Sequence, residues 1–142
     1  MEDAFWDSSS LVPLCVTQPS TPVAERLSAL YGMVVWWATP IEMLGAFARL
    51  VRMGRLTSGG QTAAQLELEN FRQVWQEVDP SNELREQAGR LLDRFPLKAA
   101  DAQQLAAALI WCLRRPAGRA FISGDSQLLE AARELGFLAI KA

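Results

Sequence analysis

Ala120-Phe121-Ile122-Ser123-Gly124-Asp125, continued by Ser126 to Gly136 and then Phe137-Leu138-Ala139-Ile140, carries the plan of the fold in one stretch. Ala120 to Ser123 is short and apolar and reads as a buried strand. Between Asp125 and Leu135, Leu128, Leu129 and Ala132 recur at helical spacing, and Gly136 suits a left-handed C-terminal cap. Phe137 to Ile140 then reads as a second strand. Strand, helix and strand in succession bring the two strands side by side and parallel.

The same alternation runs back through the chain. Ala4-Phe5-Trp6 is a strand that ends at Asp7-Ser8-Ser9-Ser10, and Leu11 to Val16 opens a helix. Thr17 to Pro22 is a loop, with Thr21 as the N-cap before Pro22 and Gly32 closing the helix that follows. Met33 to Trp37 is strand-length and apolar. Thr39-Pro40-Ile41-Glu42 begins a helix whose apolar positions are Ile41, Leu44, Ala48 and Val51, with Gly54 as its stop. Ala64, Leu68, Phe71 and Trp75 mark a long helix, broken at Asp79-Pro80-Ser81-Asn82. Glu83 to Phe95 is another, and Asp101 to Leu113 is a strongly apolar one with Leu105, Ala108, Leu109 and Cys112 on its buried face. The expectation is an α/β chain, a central parallel sheet with helices on both faces.

Composition narrows the chemistry. The chain has 142 residues, a formal net charge of -2 and no histidine. The length matches one domain at ~100–200 residues each. Without histidine there is no Ser-His-Asp or Cys-His pair and no histidine-bound zinc or iron. Cys15 and Cys112 are too few for a thiolate metal site and read as free thiols in a reducing compartment. The acidic start Met1-Glu2-Asp3 is unlike a signal peptide, and no apolar run approaches the ~20 residues of a membrane helix. The expectation is a cytoplasmic protein with no membrane contact.

Ligands of open parallel sheets bind beyond the carboxyl ends of the strands. Asp7 follows the first strand, Glu42 lies in the first turn after the second, Asp101 opens the apolar helix, and Asp125 stands two residues past Ser123. Each has an ordinary structural reading. Thr39 and Glu42 have capping-box spacing, Asp101 complements a helix dipole, Asp125 can be an N-cap, and Asp7 can brace a turn with Ser9. Capping does not account for four acids at one edge of the sheet. Such a cluster repels itself unless a divalent cation neutralises it, and Mg²⁺ or Mn²⁺ suits an all-oxygen site.

Four stretches in order also resemble the PIN-domain proteins. They are Phe5-Trp6-Asp7-Ser8-Ser9-Ser10-Leu11-Val12; Thr39-Pro40-Ile41-Glu42; Leu97-Lys98-Ala99-Ala100-Asp101-Ala102 with Leu105-Ala106; and Phe121-Ile122-Ser123-Gly124-Asp125 with Leu128, Ala131-Ala132 and Gly136-Phe137. The size and the Trp36-Trp37-Ala38-Thr39-Pro40-Ile41-Glu42 run look most like bacterial VapC-type toxins of toxin–antitoxin pairs. The resemblance implies that residues 1–142 form one PIN-like ribonuclease domain, a metal-dependent endoribonuclease. It implies Asp7, Glu42, Asp101 and Asp125 as the acidic, metal-holding quartet, with Ser9 and Ser123 as polar supports. It further implies an RNA substrate, a cognate antitoxin protein and a homodimer.

Two basic groups stand out, Arg49-Arg52-Arg55 and Arg114-Arg115-Arg119. Both read as solvated helix ends, with a phosphate grip as the alternative for one of them. Trp36, Trp37, Trp75, Trp111 and Phe71 read as core. The helix holding Phe71 and Trp75, and the one after Pro22, are candidate interface elements. The competing functional reading is a catalytically weak PIN-like module that binds RNA or protein. An aspartyl phosphatase would want a second aspartate two residues after Asp7, where Ser9 stands. A dinucleotide-binding domain would want a glycine-rich turn after a strand, and Gly59-Gly60 lies between helices.

Overall fold

A computed structural model describes residues 1–142. In chain order the elements are β1 (Glu2–Trp6), α1 (Ser8–Cys15), α2 (Thr21–Leu30), β2 (Tyr31–Trp36), α3 (Thr39–Arg52), α4 (Ser58–Arg72), β3 (Gln76–Val78), α5 (Asn82–Arg94), α6 (Ala99–Trp111), β4 (Ala120–Ser123), α7 (Ser126–Leu135) and β5 (Leu138–Lys141). The five strands form one sheet in the order β3-β2-β1-β4-β5. Every pairing is parallel, with Phe5 opposite Val34 on one side and Phe121 on the other. The chain winds outward from β1 to β3, then crosses back to β4. The switch point therefore lies between the carboxyl ends of β1 and β4, where Asp7 and Ser123 stand.

Alternation along the strands fills both faces. Phe5, Val34, Trp36 and Phe121 point to α5, α6 and α7. Ala4, Trp6, Val35 and Ile122 point the other way, to α1, α3 and α4. The α/β architecture with helices on both faces is the one the sequence pattern predicts. No helix is long and apolar enough to cross a membrane. Cys15 and Cys112 are free, and burial together with the Glu67 charge pushes the Cys15 thiol up to about 12.

Several local expectations are corrected. Gly32 does not stop α2 but lies inside β2, opposite Asp3, and a Cβ there would run into the Asp3 carboxylate. Its glycine identity serves close strand approach. Thr21 is the first residue of α2 rather than its cap; its hydroxyl donates to the Pro13 carbonyl (2.6 Å) and accepts from the Gln18 N–H (2.9 Å). α1 begins at Ser8, directly after Asp7, and α6 at Ala99, two residues before Asp101. α4 ends at Arg72, so Trp75 lies beyond it and leads into β3, which has only three residues and no legible period.

The largest correction concerns α3. Its buried side is Pro40, Met43 and Phe47, while Ile41 and Leu44 are 64% and 41% exposed. Two apolar stripes lie side by side on this helix. The bulkier Met43 and Phe47 take the core, rotating Ile41 and Leu44 outward. Trp37 also leaves the core, at 48% exposed, whereas Trp36 and Trp75 are buried.

Candidate acidic site

Asp7 directly follows β1, and its backbone N–H donates to the Ile122 carbonyl on β4 (2.9 Å). Only 3% of the residue is exposed. It occupies the N-cap position of α1, but its side chain caps nothing. Instead Oδ2 accepts hydrogen bonds from the Ser9 hydroxyl (2.5 Å) and the Ser123 hydroxyl (2.8 Å). Burial raises the pKa of this carboxyl, and the two serine hydroxyls hold it down in part.

The same serines stitch the loop after β1 to the loop after β4. Ser9 Oγ accepts the Gly124 N–H (2.9 Å), and Ser123 Oγ accepts the Asp125 N–H (3.0 Å). Both serines thus bond the Asp7 carboxylate, and Ser123 also accepts the backbone N–H of Asp125.

Glu42 sits in the first turn of α3 and does not cap it. The N-cap position is Ala38, which leaves no side-chain cap bond, so the capping-box reading fails. Glu42 faces inward across the sheet edge. Its Oε1 accepts from the Ser8 hydroxyl (2.9 Å), and the Gln104 amide on α6 lies 3.3 and 3.2 Å from its two oxygens. The same Gln104 nitrogen reaches Thr39 Oγ1 at 3.1 Å. Burial raises the Glu42 carboxyl, Ser8 and Gln104 lower it, and the Asp7 and Asp101 charges raise it again.

Asp101 is the third residue of α6. Burial raises its carboxyl, followed by the charges of Asp7 and Asp125, against a lowering pull from Lys98. Asp125 is the N-cap of α7. Its Oδ1 accepts the backbone N–H groups of Gln127 (2.8 Å) and Leu128 (3.1 Å), so the capping role foreseen for it is real.

Folding therefore brings the four acids into one electrostatic neighbourhood: Asp7 acts on Glu42 and Asp101, and Asp125 acts on Asp101. None of them belongs to an ion pair. The ion pairs of the molecule join Arg72 to Glu69, Arg114 to Glu83 and Arg133 to Glu130, all on the exposed surface. As the side chains stand, no three carboxylates converge in ligating geometry. By donor type the set fits a hard divalent cation: all oxygen, partly dehydrated and short of positive charge.

A groove of about 410 Å³ runs beside Glu42, with Ser8, Ser9, Gly45 and Arg49 also in its walls. A larger cavity, about 700 Å³, opens between α5 and α6 against Trp36 and Gln103 but includes none of the four acids. The smaller groove matters more because it touches Glu42 itself. Of the basic groups, Arg114 pairs with Glu83 and Arg119 stacks over Trp111 at 4.2 Å, at the end of α6 remote from Asp101.

The contacts of Ser8 and Gln104 with Glu42, and of Thr39 with Gln104, escaped the sequence reading. Gln104 had a signal: with Gln103 it interrupts the apolar residues of α6, one turn after Asp101.

No known family profile matches the sequence, and no curated protein resembles it at a significant level. Solved structures share its fold. A toxin–antitoxin complex from Klebsiella pneumoniae superposes with a TM-score of 0.62 at 14% identity, covering 88% of both chains. The protein PAE2754 from Pyrobaculum aerophilum gives 0.67 at 18% identity, covering 98% of this chain and 90% of its own. FitAcB from Neisseria gonorrhoeae gives 0.64 at 14% identity, covering 96% of both. At these identities the likeness is one of fold.

Proposed function

We propose that residues 1–142 act as a divalent-cation-dependent endoribonuclease, the toxin of a toxin–antitoxin pair. The observation that carries this reading is the gathering of Asp7, Glu42, Asp101 and Asp125 at the sheet's switch point with no ion pair among them and Lys98 acting on Asp101 alone. A structural cluster of acids would be paired with Lys or Arg; this one keeps an excess of negative charge in a partly dry place. The shared fold with a chain of a toxin–antitoxin complex supports the biological half of the reading. A cognate antitoxin protein, a homodimer and a cytoplasmic location belong to it, and the outward Ile41 and Leu44 supply apolar surface for such assembly.

Asp7 and Asp125 would hold Mg²⁺ or Mn²⁺ directly, with Glu42 and Asp101 completing the set. There a divalent ion would supply positive charge to phosphoryl oxygens and lower the pKa of water toward neutrality. Ser9 and Ser123 fix the rotamer of Asp7 through Oδ2. Ser8 and Gln104 fix the carboxylate plane of Glu42. Glu42 or Asp101 would orient the attacking water.

A catalytically weak PIN-like module that binds RNA or protein remains the second reading. It is favoured by the absence of three converging carboxylates. One experiment separates the two: cleavage of a small RNA set by the wild type, Asp7→Asn and Asp125→Asn, in Mg²⁺ and in EDTA. Cleavage by the wild type in Mg²⁺ alone supports the nuclease. Equal outcomes in every arm refute it.

A further inference from the structure

Asp125 stands in the short turn between β4 and α7, and that turn is held from two sides. From α1, Ser9 Oγ accepts the Gly124 N–H (2.9 Å). From β5, Lys141 Nζ donates to the Gly124 carbonyl (2.6 Å) and to the Ser126 hydroxyl (3.0 Å). The ammonium therefore straddles Asp125, bonding the residue before it and the residue after it. A Cβ at Gly124 would come within 3.3 Å of the Ala142 backbone oxygen and 3.4 Å of Ser9 Oγ, so the turn lies tight against both flanks.

Lys141 is fixed at its root. It is the last residue of β5 and lies opposite Ser123 in the parallel register, and the next N–H, of Ala142, donates to the Ser123 carbonyl (3.0 Å). Its side chain is exposed, where a lysine is ordinarily free to swing through water. Here two of its three N–H donors are taken by the turn. It belongs to none of the molecule's ion pairs, although a carboxylate stands between its two partners. An ammonium paired with Asp125 would compete with any cation for that carboxylate. Bonded instead to the flanking carbonyl and hydroxyl, it orders the turn and leaves the second oxygen of Asp125 without a protein donor.

We infer that Lys141 is a positioning residue of the acidic site: from the edge strand it clamps Gly124 and Ser126, and so sets where the Asp125 carboxylate stands without pairing with it. The inference rests on the reading that the acids hold a divalent cation, with Asp125 among its ligands. Charge and position predict opposite signs for the loss of Lys141. As a charge alone, the ammonium repels a nearby cation, and its removal would tighten ion binding. As a clamp, its removal loosens ion binding, because contacts that orient a ligand typically cost about 10–100-fold in metal affinity when lost.

The test is Mn²⁺ binding to the full chain by titration calorimetry, with amide hydrogen exchange of the same proteins in EDTA. Lys141→Met should bind Mn²⁺ about ten-fold more weakly, the low end for an exposed contact. The amides of Asp125, Gln127 and Leu128 should exchange several-fold faster in it, while those of α6 hold their wild-type rates. Lys141→Arg keeps the charge and the donors and should recover most of both effects. Added to Asp125→Asn, Lys141→Met should lower the residual Mn²⁺ affinity no further, because the clamp acts through Asp125. Arg133→Met removes an exposed cation from α7 and should match the wild type. Unchanged or tighter Mn²⁺ binding in Lys141→Met overturns the inference. So do wild-type exchange rates at Asp125 and Gln127, an additive loss in the double variant, or an equal loss in Arg133→Met. A wild type that binds no Mn²⁺ fails the reading of the acids as an ion site, and the clamp's role falls with it. A wild type that binds Mn²⁺ no more tightly than Lys141→Met fails the clamp alone.

Discussion

Replacing Gln104 by leucine should separate stability from activity. The Gln104 amide is fully buried; its nitrogen serves Thr39 and both oxygens of Glu42, yet its own Oε1 has no partner. The orientation follows from chemistry, since the opposite one would press a carbonyl against a carboxylate. Removing the amide forfeits about 1.5–3 kcal/mol of hydrogen bonding to a charged group, and it also relieves a buried unpaired carbonyl that costs about 1–3 kcal/mol. Leucine has similar volume and sits beside Leu105 and Ala108, already in the core. The net change in folding free energy should therefore fall within about 1.5 kcal/mol of zero. Glu42, left with Ser8 alone, gains rotational freedom, and loss of such a positioning contact typically costs 10–100-fold in activity or ion affinity. Urea denaturation gives the first quantity and Mn²⁺-dependent RNA cleavage per folded molecule the second. A loss of more than 3 kcal/mol with undiminished cleavage would show that the amide serves the fold and not Glu42.

Asp7→Asn should keep both serine hydrogen bonds through its remaining carbonyl while removing a buried charge; the ion-free protein should gain roughly 1 kcal/mol in denaturant unfolding at neutral pH and lose cleavage. Because burial raises Asp7, Glu42 and Asp101 above their ordinary values, the ion-free folded chain holds more protons than the unfolded one. Their contribution to stability is then greatest below about pH 4 and falls as pH rises through those raised values. Melting curves in EDTA should show that decline, and saturating Mn²⁺ near pH 7 should reverse it; flat melting across this range would contradict the burial of these charges. Phe47→Ala should cost about 3–5 kcal/mol by calorimetry or urea, whereas Ile41→Ala in the monomer should stay within about 0.5 kcal/mol. The reverse order would restore the helix face read from sequence.

The strands and most helices were legible because their signals are local. Ala120 to Ser123 is continuous and apolar, Pro22 and Pro40 stand at helix starts, and Gly54 and Gly136 adopt the positive φ that ends α3 and α7. What failed was set by tertiary partners. β3 has three residues and forms by pairing with β2, so no period announces it. The rotation of α3 was decided by the sheet, which accepted Met43 and Phe47 over Ile41 and Leu44. Of the acidic site, the positions of Asp7, Glu42, Asp101 and Asp125 could be read from the order of strands and helices. Their partners could not, apart from Ser9 and Ser123. Ser8 reaches across 34 residues to Glu42 and Gln104 across 62, and such contacts leave no trace in short-range spacing.

Asp125 divides its labour between its two atoms. One oxygen fastens the first turn of α7 through a pair of amides, and the other makes no protein hydrogen bond. Alanine at this position would unfasten the turn and delete the charge together, so any loss it produced would have two inseparable origins. Asparagine, with its carbonyl turned to the amides, changes only the outward half. The residue thus anchors a helix and faces the acidic pocket at once, and a drift in sequence that spared either duty alone would still have to keep an oxygen here.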